Sequence, residues 1–169
     1  MVISGPESSE LTGKKTSQGG FTLVEIMAVL IIIAIIAAIA LPKINSSVEK
    51  ARQNADVATG HQVKTALDRY QVEKGIYPKL TELASSGGAV VDERKVFISE
   101  YISKLDPSVI QQNAGTGVQK GFAVETLPAS GALPAATSMI TIYLTSDGKG
   151  AEVKVVDKAA QRLWSSSED

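Results

Sequence analysis

One carboxylate stands alone in the longest apolar segment of the chain. Glu25 is the only ionisable residue between Phe21 and Leu41, and Thr22 is the only other polar one. A charged side chain inside a membrane costs about 2.5–3.5 kcal/mol even on lenient insertion scales, so it is expected to have a partner or a function. Two opposite charges are cheaper to bury together than apart. Glu25 is therefore the first candidate functional residue.

The segment that carries Glu25 is long enough to cross a bilayer. Residues 21–41 would form about 30 Å of helix, which matches the hydrocarbon thickness. The segment is apolar on all faces, as in a membrane span or the interior of a helix bundle. Gly19 and Gly20 directly precede it, and Pro42 directly follows it. Pro42 is expected to kink the helix rather than end it, because it removes only one hydrogen bond.

A short motif at the glycines resembles a known processing signal. It reads Gly20-Phe21-Thr22-Leu23-Val24-Glu25 and is followed by the apolar run. It resembles the prepilin signature of type IV pilins and of the pseudopilins of type II secretion. The resemblance implies that a membrane-embedded aspartyl peptidase cleaves between Gly20 and Phe21 and that Phe21 is then N-methylated. It also implies that Glu25 pairs with the N-terminal amine of a neighbouring subunit during assembly.

Two alternatives to this interpretation are open. Glu25 could instead be a carboxylate that the helix dipole favours near a helix start and that reaches toward the headgroups. Residues 1–20 could be a tail before an ordinary signal anchor. Under the prepilin interpretation the same residues are a leader. They are polar, with Lys14 and Lys15 near the end, and the two lysines are expected to keep the leader cytoplasmic. A secretory signal peptide would place its apolar segment before the cleavage site.

The hydrophobic period changes beyond Pro42 to the spacing of an amphipathic helix. The predicted stripe contains Ile44, Val48, Ala51, Ala55, Ala58, Gln62, Val63, Ala66, Leu67 and Tyr70. Pairs of opposite charge are expected on the other face, at Arg52–Asp56, Lys64–Asp68 and Arg69–Glu73. Gly60 is expected to weaken the helix. Gly75 and Pro78 are stop signals that place its end near Lys74.

The rest of the chain predicts a small antiparallel head. Residues 81–85 favour a helical turn, and Asp92 is expected to cap a helix whose buried side carries Val96, Phe97, Tyr101, Ile102 and Leu105. Strands are predicted at 121–127, 139–144 and 152–156, with a hairpin turn at 147–150. Residues 128–134 are expected to form an exposed loop. Leu163 and Trp164 are expected to pin the tail to the sheet.

The resemblance extends to Gly75-Ile76-Tyr77-Pro78, a turn that follows the long helix in pilins and major pseudopilins. The predicted fold is α+β, with a long kinked N-terminal helix packed on a small C-terminal antiparallel sheet in the lollipop shape of a pilin. Its membrane-spanning half precedes an amphipathic half. The expected parts are the leader 1–20, the membrane and filament-core helix 21–42, the amphipathic half 43–75 and the head 76–169.

The sequence carries no pattern for catalysis or for a cofactor. His61 is the only histidine and lacks a partner at zinc-binding spacing, and there is no cysteine. Gly148-Lys149-Gly150 fits a hairpin turn better than a phosphate-binding loop. Asp147 and Asp157 could offer oxygens to calcium, as a loop of major pseudopilins does, but no run of acidic positions supports a site. We expect no enzyme activity, no metal and no cofactor.

The expected partners follow from the resemblance. They are further copies of the chain in a helical homopolymer, the prepilin peptidase, the pilus assembly machinery and, before assembly, the cytoplasmic membrane. The formal net charge is −1, and no cluster of basic residues with interleaved aromatics supports nucleic-acid binding. Such binding is left open for a filament that displays many copies.

Three functions are kept as hypotheses. The first is a structural subunit of a type IV pilus-like filament for adhesion, motility or DNA uptake. The second is a major pseudopilin of type II secretion. The third is a membrane-anchored enzyme or binding module whose head works alone. For the first two, the precursor spans the cytoplasmic membrane once, and the mature protein lies in an extracellular pilus or a periplasmic pseudopilus.

Overall fold

The structure is a computed structural model of the 169-residue chain that describes residues 20–130 and 132–167. The chain divides into two compact units, Met1–Pro42 and Lys43–Asp169. One helix, α1 (Leu23–Lys74), contributes residues to both units. The predicted leader, including Lys14 and Lys15, lies outside the described residues except for Gly20.

The limits of α1 follow from local signals. The helix ends at Lys74, as predicted, and Gly75 has a φ of 80°. Glycine favours this left-handed conformation at helix C-termini because it has no Cβ to clash. The Gly75 N–H donates to the Gln71 carbonyl at 2.8 Å. Pro42 lies inside α1 and does not end it.

Six strands follow α1 and form two sheets. They are β1 (Ala84–Ser86), β2 (Ala89–Val91), β3 (Gln119–Thr126), β4 (Ser138–Leu144), β5 (Ala151–Val156) and β6 (Arg162–Ser165). β1 and β2 form an antiparallel hairpin, and the other four strands form a sheet in the order β3-β4-β5-β6. The predicted α+β class, the three predicted strands (β3, β4 and β5) and the β4–β5 hairpin are confirmed. Leu163 and Trp164 lie in β6, which pairs with β5.

The larger sheet is mixed rather than wholly antiparallel, because β3 and β4 run parallel. Residues 127–137 must therefore return the chain from the end of β3 to the start of β4. This return segment is hydrogen-bonded to the sheet. The Tyr143 hydroxyl donates to the Pro134 carbonyl at 3.0 Å, and the Lys154 ammonium donates to the same oxygen at 3.3 Å. Thr137 donates to a Glu125 carboxylate oxygen at 2.8 Å.

The core of the second unit lies between α1 and the larger sheet. α1 contributes Val63, Leu67 and Tyr70, and the facing side chains include Ile140, Ile142, Val153 and Val155. Gly60 is buried where the helix lies close to the sheet, since a Cβ there would lie 2.5 Å from Val155 Cγ2. Gly60 therefore permits close packing and is more than a weak point in the helix.

The predicted apolar stripe is wrong over much of its length, and its buried members are Val63, Ala66, Leu67 and Tyr70. Ile44, Val48, Ala51, Ala58 and Gln62 are exposed, and the buried face of α1 begins at Asp56. The Asp56 carboxylate accepts the backbone N–H groups of Gln111 at 2.7 Å and Gln112 at 3.1 Å, together with the Gln112 side-chain amide at 3.0 Å. Burial of a carboxylate is tolerated where such donors satisfy it. The predicted Arg52–Asp56 ion pair on the outer face of the helix is therefore wrong, because Asp56 lies on the buried face.

Two predicted helical segments are also wrong. Residues 79–82 form a single turn, and the hairpin of β1 and β2 follows it. Asp92 accepts backbone N–H groups as predicted, but they belong to Val96, Phe97 and Ile98 in an irregular loop. Phe97, Tyr101 and Leu105 are buried there without a helix. These residues are spaced by four, as on one face of a helix. A compact loop can also place side chains in the core at this spacing, so the helix prediction failed.

Candidate functional site

The predicted processing residues lie ahead of the helix. Gly20 and Phe21 are in non-helical backbone, and both are exposed. The Phe21 side chain retains 83% of its accessible surface. Accessible, non-helical backbone is where proteolysis concentrates. The backbone at the predicted cleavage site is therefore both accessible and non-helical.

Thr22 and Glu25 form a reciprocal pair of hydrogen bonds at the start of α1. The Glu25 N–H donates to Thr22 Oγ1 at 3.2 Å, and the Thr22 N–H donates to Glu25 Oε2 at 3.4 Å. This is a capping box, which satisfies two N–H groups that a helix start leaves without partners. The Thr-x-x-Glu spacing is the sequence signal for this capping box. Sequence reasoning missed it, because Glu25 was considered only as an isolated charge.

The apolar half of α1, residues 23–42, is exposed in the single chain. Ile35, for example, retains 59% of its accessible surface, and the large side chains around it are similar: Leu30, Ile31, Ile32, Ile33, Ile36, Ile39 and Leu41. The helix is long and apolar enough to cross a membrane, and its most apolar window is not buried by the described chain. Such a surface must be covered by lipid or by other protein.

Pro42 is not brought to the cleavage end. It lies 17 residues beyond Glu25 within α1, a rise of about 26 Å along a helix. Ser46 and Ser47 donate their hydroxyls to the Lys43 carbonyl at 2.9 and 3.0 Å. Gly20, Phe21 and Glu25 thus gather at one end of α1, and Pro42 belongs to its middle.

The remaining candidate residues, His61, Asp147 and Asp157, make contacts that belong to the fold. The exposed His61 ring lies 4.0 Å from the Trp164 ring, centroid to centroid. Asp147 lies in the β4–β5 turn, where a hydrogen bond from Thr145 and the Lys149 backbone N–H lower its pKa. Asp157 accepts two backbone N–H groups in the next turn. The described residues contain no group of three or more His, Cys, Asp or Glu that could hold a metal.

A concave surface lies between the return segment and the larger sheet. Its volume is about 370 Å³, and its lining includes Leu127, Leu133, Glu152, Lys154 and Arg162. Glu152 Oε2 is buried and has no hydrogen-bond partner among the residues that the structure describes. Sequence reasoning found no concave site, because the parallel return that builds this one leaves no local pattern.

Comparison with known proteins agrees with the geometry of the helix start. A family model described as "Prokaryotic N-terminal methylation motif" matches residues 15–41. "Type II secretion system core protein G" of Aeromonas hydrophila is 32% identical over 96 residues, which cover 54% of this chain and 67% of that protein. "Fimbrial protein EcpC" of Eikenella corrodens is 33% identical over 119 residues, which cover 69% and 76%.

A third relative is a major pilin. "Type IV major pilin protein PilE" of Neisseria gonorrhoeae is 34% identical over 87 residues, which cover 48% of this chain and 52% of that protein. No solved structure matches the chain. The methylation motif, which includes most of the exposed apolar half of α1, defines a prepilin-type protein. The chain belongs to the family of type IV pilins and type II secretion pseudopilins.

Proposed function

We propose that the chain is a structural subunit of a filament whose interior is built from the apolar half of α1. The observation that carries this proposal is the exposure of that half: residues around Ile35 have no cover from the described chain. Lipid covers the segment in the precursor, and other copies of it do so after assembly. Repeated contacts between different surfaces produce a fibre when the rotation from one subunit to the next does not close a ring.

The proposed processing and assembly residues act at the helix start. Cleavage between Gly20 and Phe21 creates an amine about one helical turn from Glu25. The Glu25 carboxylate of one subunit then pairs with the Phe21 amine of a neighbour, which fixes the position of the neighbour along the fibre. Each charge lowers the cost of burying the other. Pro42 marks the end of the apolar half, which fills the filament interior.

The parts of the chain have separate tasks in this proposal. Residues 1–20 are a leader on the cytoplasmic side, and residues 21–42 span the membrane and later fill the filament interior. Residues 43–75 carry the head, 76–169, on the filament surface. The partners are further copies, the prepilin peptidase and the assembly machinery. The family is structural, and no catalytic step is proposed.

The proposal is tested on the mature protein. Mass spectrometry should find a chain that begins with N-methylated Phe21, and electron microscopy of sheared fractions and of periplasmic extracts should find fibres that contain it in one of the two. An intact N-terminus in cells with an active prepilin peptidase would contradict the proposal. Glu25→Val should remove the fibres while the protein stays in the membrane. Glu93→Val, which removes an exposed carboxylate from the head, is the matched control and should leave fibre yield unchanged.

Two kinds of filament agree with the relatives found. Core protein G of type II secretion and the fimbrial protein are about equally similar to this chain. A pilus would extend as long fibres on the cell surface, whereas a pseudopilus would remain short and periplasmic. Immunogold labelling of whole cells and of sheared fractions separates the two.

A membrane-anchored binding module is the alternative of a different class. The surface that favours it is the cavity lined by Glu152 and Lys154. Under this alternative the head acts alone, so Glu25→Val should leave its binding activity intact. Under the filament proposal the same substitution should abolish assembly.

A further inference from the structure

We propose that the cavity between the return segment and the larger sheet binds an apolar dipeptide with free ends. The ammonium group of the dipeptide lies at Glu152, its carboxylate lies at Lys154, and its side chains pack against Leu127 and Leu133. All of these residues belong to one head. The inference therefore goes beyond the filament function and does not depend on assembly.

The cavity is held open by contacts that fix the return segment on the sheet. The Tyr143 hydroxyl and the Lys154 ammonium both donate to the Pro134 carbonyl, at 3.0 and 3.3 Å. The volume of about 370 Å³ is within the range of small-molecule sites, which are usually formed before the ligand arrives. A wall that is fixed in advance lowers the entropic cost of binding.

The charged side chains of the cavity lie on the sheet face away from α1. Val153 and Val155 of β5 belong to the core that α1 covers, and side chains alternate between the two faces along a strand. Glu152 and Lys154 therefore leave the opposite face, where they line the cavity. A ligand does not need to displace the helix to reach them.

The cavity carries charges of both signs, which restricts the class of ligand. Glu152 would repel a simple anion, and Lys154 and Arg162 would repel a simple cation. The part of the lining that the structure describes holds no aromatic ring on which a base could stack. A molecule with one ammonium and one carboxylate matches both kinds of charge.

Both charged partners have hydrogen-bonding capacity to spare. Glu152 Oε2 is closed off from solvent and has no partner among the described residues, so this carboxylate is short of donors. It gains more from an ammonium group than a fully hydrated carboxylate does. Among the described contacts, Lys154 gives one of its three donors to Pro134, which leaves donors for a ligand carboxylate.

The spacing of the two charges favours a dipeptide over a free amino acid. Glu152 and Lys154 are two positions apart in β5, a separation of about 7 Å between their Cα atoms. The two ends of an extended dipeptide span about the same distance, and those of a free amino acid about half of it. Leu127 and Leu133 supply apolar surface for the side chains of the dipeptide.

Isothermal titration calorimetry of the detergent-solubilised full-length protein tests the site, with leucyl-leucine as the probe and the same detergent without protein as the blank. Saturable binding at one site per chain is expected. N-acetyl-leucyl-leucine lacks the ammonium and leucyl-leucinamide lacks the carboxylate, so each should bind about tenfold more weakly, the effect of one charge-assisted hydrogen bond. These comparisons use the wild-type protein and do not depend on the folding of a variant.

Glu152→Gln should weaken leucyl-leucine binding about tenfold. It should leave the affinity for N-acetyl-leucyl-leucine unchanged, because the two changes remove the same contact. Glu125→Gln is the matched control. Glu125 lies on the same sheet face, in register with Tyr143 and Glu152, but it does not line the cavity, so its variant should bind like the wild type.

Absence of saturable binding by the wild type would overturn the inference, as would equal affinities for leucyl-leucine and its acetylated form. An equal loss in Glu152→Gln and Glu125→Gln would also overturn it, because the effect would then not belong to the cavity. None of these results measures fibre formation, so the filament function would stand after any of them.

Discussion

At the scale of single residues, the positions most easily misread are those whose type is unusual for a buried helix face. Asp56 and Gly60 both lie on the buried side of α1. A hydrophobic pattern assigns neither to a core, since one is charged and the other has no side chain. Asp56 is buried because loop N–H groups converge on it, and Gly60 because β5 approaches closely. Both causes are contacts distant in sequence.

Gly60→Ala should destabilise the head, although helix propensity alone predicts a gain. A Cβ at this position would lie 2.5 Å from Val155 Cγ2 and 3.4 Å from the Trp164 ring. Overpacking of this kind costs about 1–3 kcal/mol, which outweighs a propensity gain of about 1 kcal/mol. Chemical denaturation of the detergent-solubilised protein gives the sign. A more stable variant would mean that the helix and the sheet can separate slightly without loss.

Asp56→Leu should be more damaging, with a loss of about 3 kcal/mol, because three N–H donors would lose their acceptor in the core. Asn54→Ala, at an exposed position of the same helix, is the control and should change stability little. The same denaturation experiment compares the two. Equal stability of both variants would show that water or another group replaces the carboxylate.

At the scale of elements, strands with a clear hydrophobic pattern were predictable and short ones were not. β4 is an apolar run that is buried throughout, β5 alternates over most of its length, and the two turn through Asp147-Gly148, so their hairpin follows from local signals. β1 and β2 have three residues each, with Ala84, Ser85 and Ser86 exposed in β1, and they carry no such signal. They depend instead on docking of their turn against β3, where the Gly88 carbonyl accepts the Phe122 N–H at 2.8 Å.

That docking predicts different effects for two glycines. Gly121 and Gly117 both have positive φ, 131° and 81°. A Cβ at Gly121 would lie 2.3 Å from the Gly88 carbonyl oxygen, whereas nothing lies within 4 Å of one at Gly117. Gly121→Ala should therefore lower the thermal midpoint of unfolding markedly more than Gly117→Ala, which adds only backbone strain. Equal midpoints would mean that the hairpin can move away from β3 at no cost.

At the scale of the whole molecule, the helix start and the family were predictable, and the direction of β3 relative to β4 was not. The apolar segment, the lone Glu25 and the paired glycines are adjacent in sequence, so their meaning needs no tertiary contact. The return of residues 127–137 depends on the hydrogen bonds to Pro134, which join it to β4 and β5. No local pattern encodes those contacts.

Alkaline pH should destabilise the folded head. Burial, followed by the charge of Glu125, raises the pKa of Tyr143 to about 12, and a hydrogen bond to Glu73 raises the pKa of Tyr101 to about 12. The native state holds these protons more tightly than the unfolded chain, whose tyrosines titrate near 10. The contribution of these two tyrosines to the free energy of unfolding should therefore be constant below about pH 9 and fall as pH rises through 10 to 12.

Tyr143→Phe removes one of these protons and should make the alkaline decline shallower. Denaturation of the solubilised protein at a series of pH values measures the slope, and ultraviolet absorbance follows the ionisation of the phenols. The wild-type curve, recorded under the same conditions, is the reference. A slope that is unchanged in the variant would show that Tyr143 ionises without unfolding the sheet.

The buried face of α1 also bears on how a water-soluble fragment is best cut. Val63, Leu67 and Tyr70 form one wall of the core, so a fragment that starts after the helix, at Ile76, would expose the inner face of the sheet and should aggregate. A fragment that starts at Lys43 omits the apolar residues 21–42 and keeps that wall of the core. Crystallisation samples made from this protein would need to retain the second half of the helix.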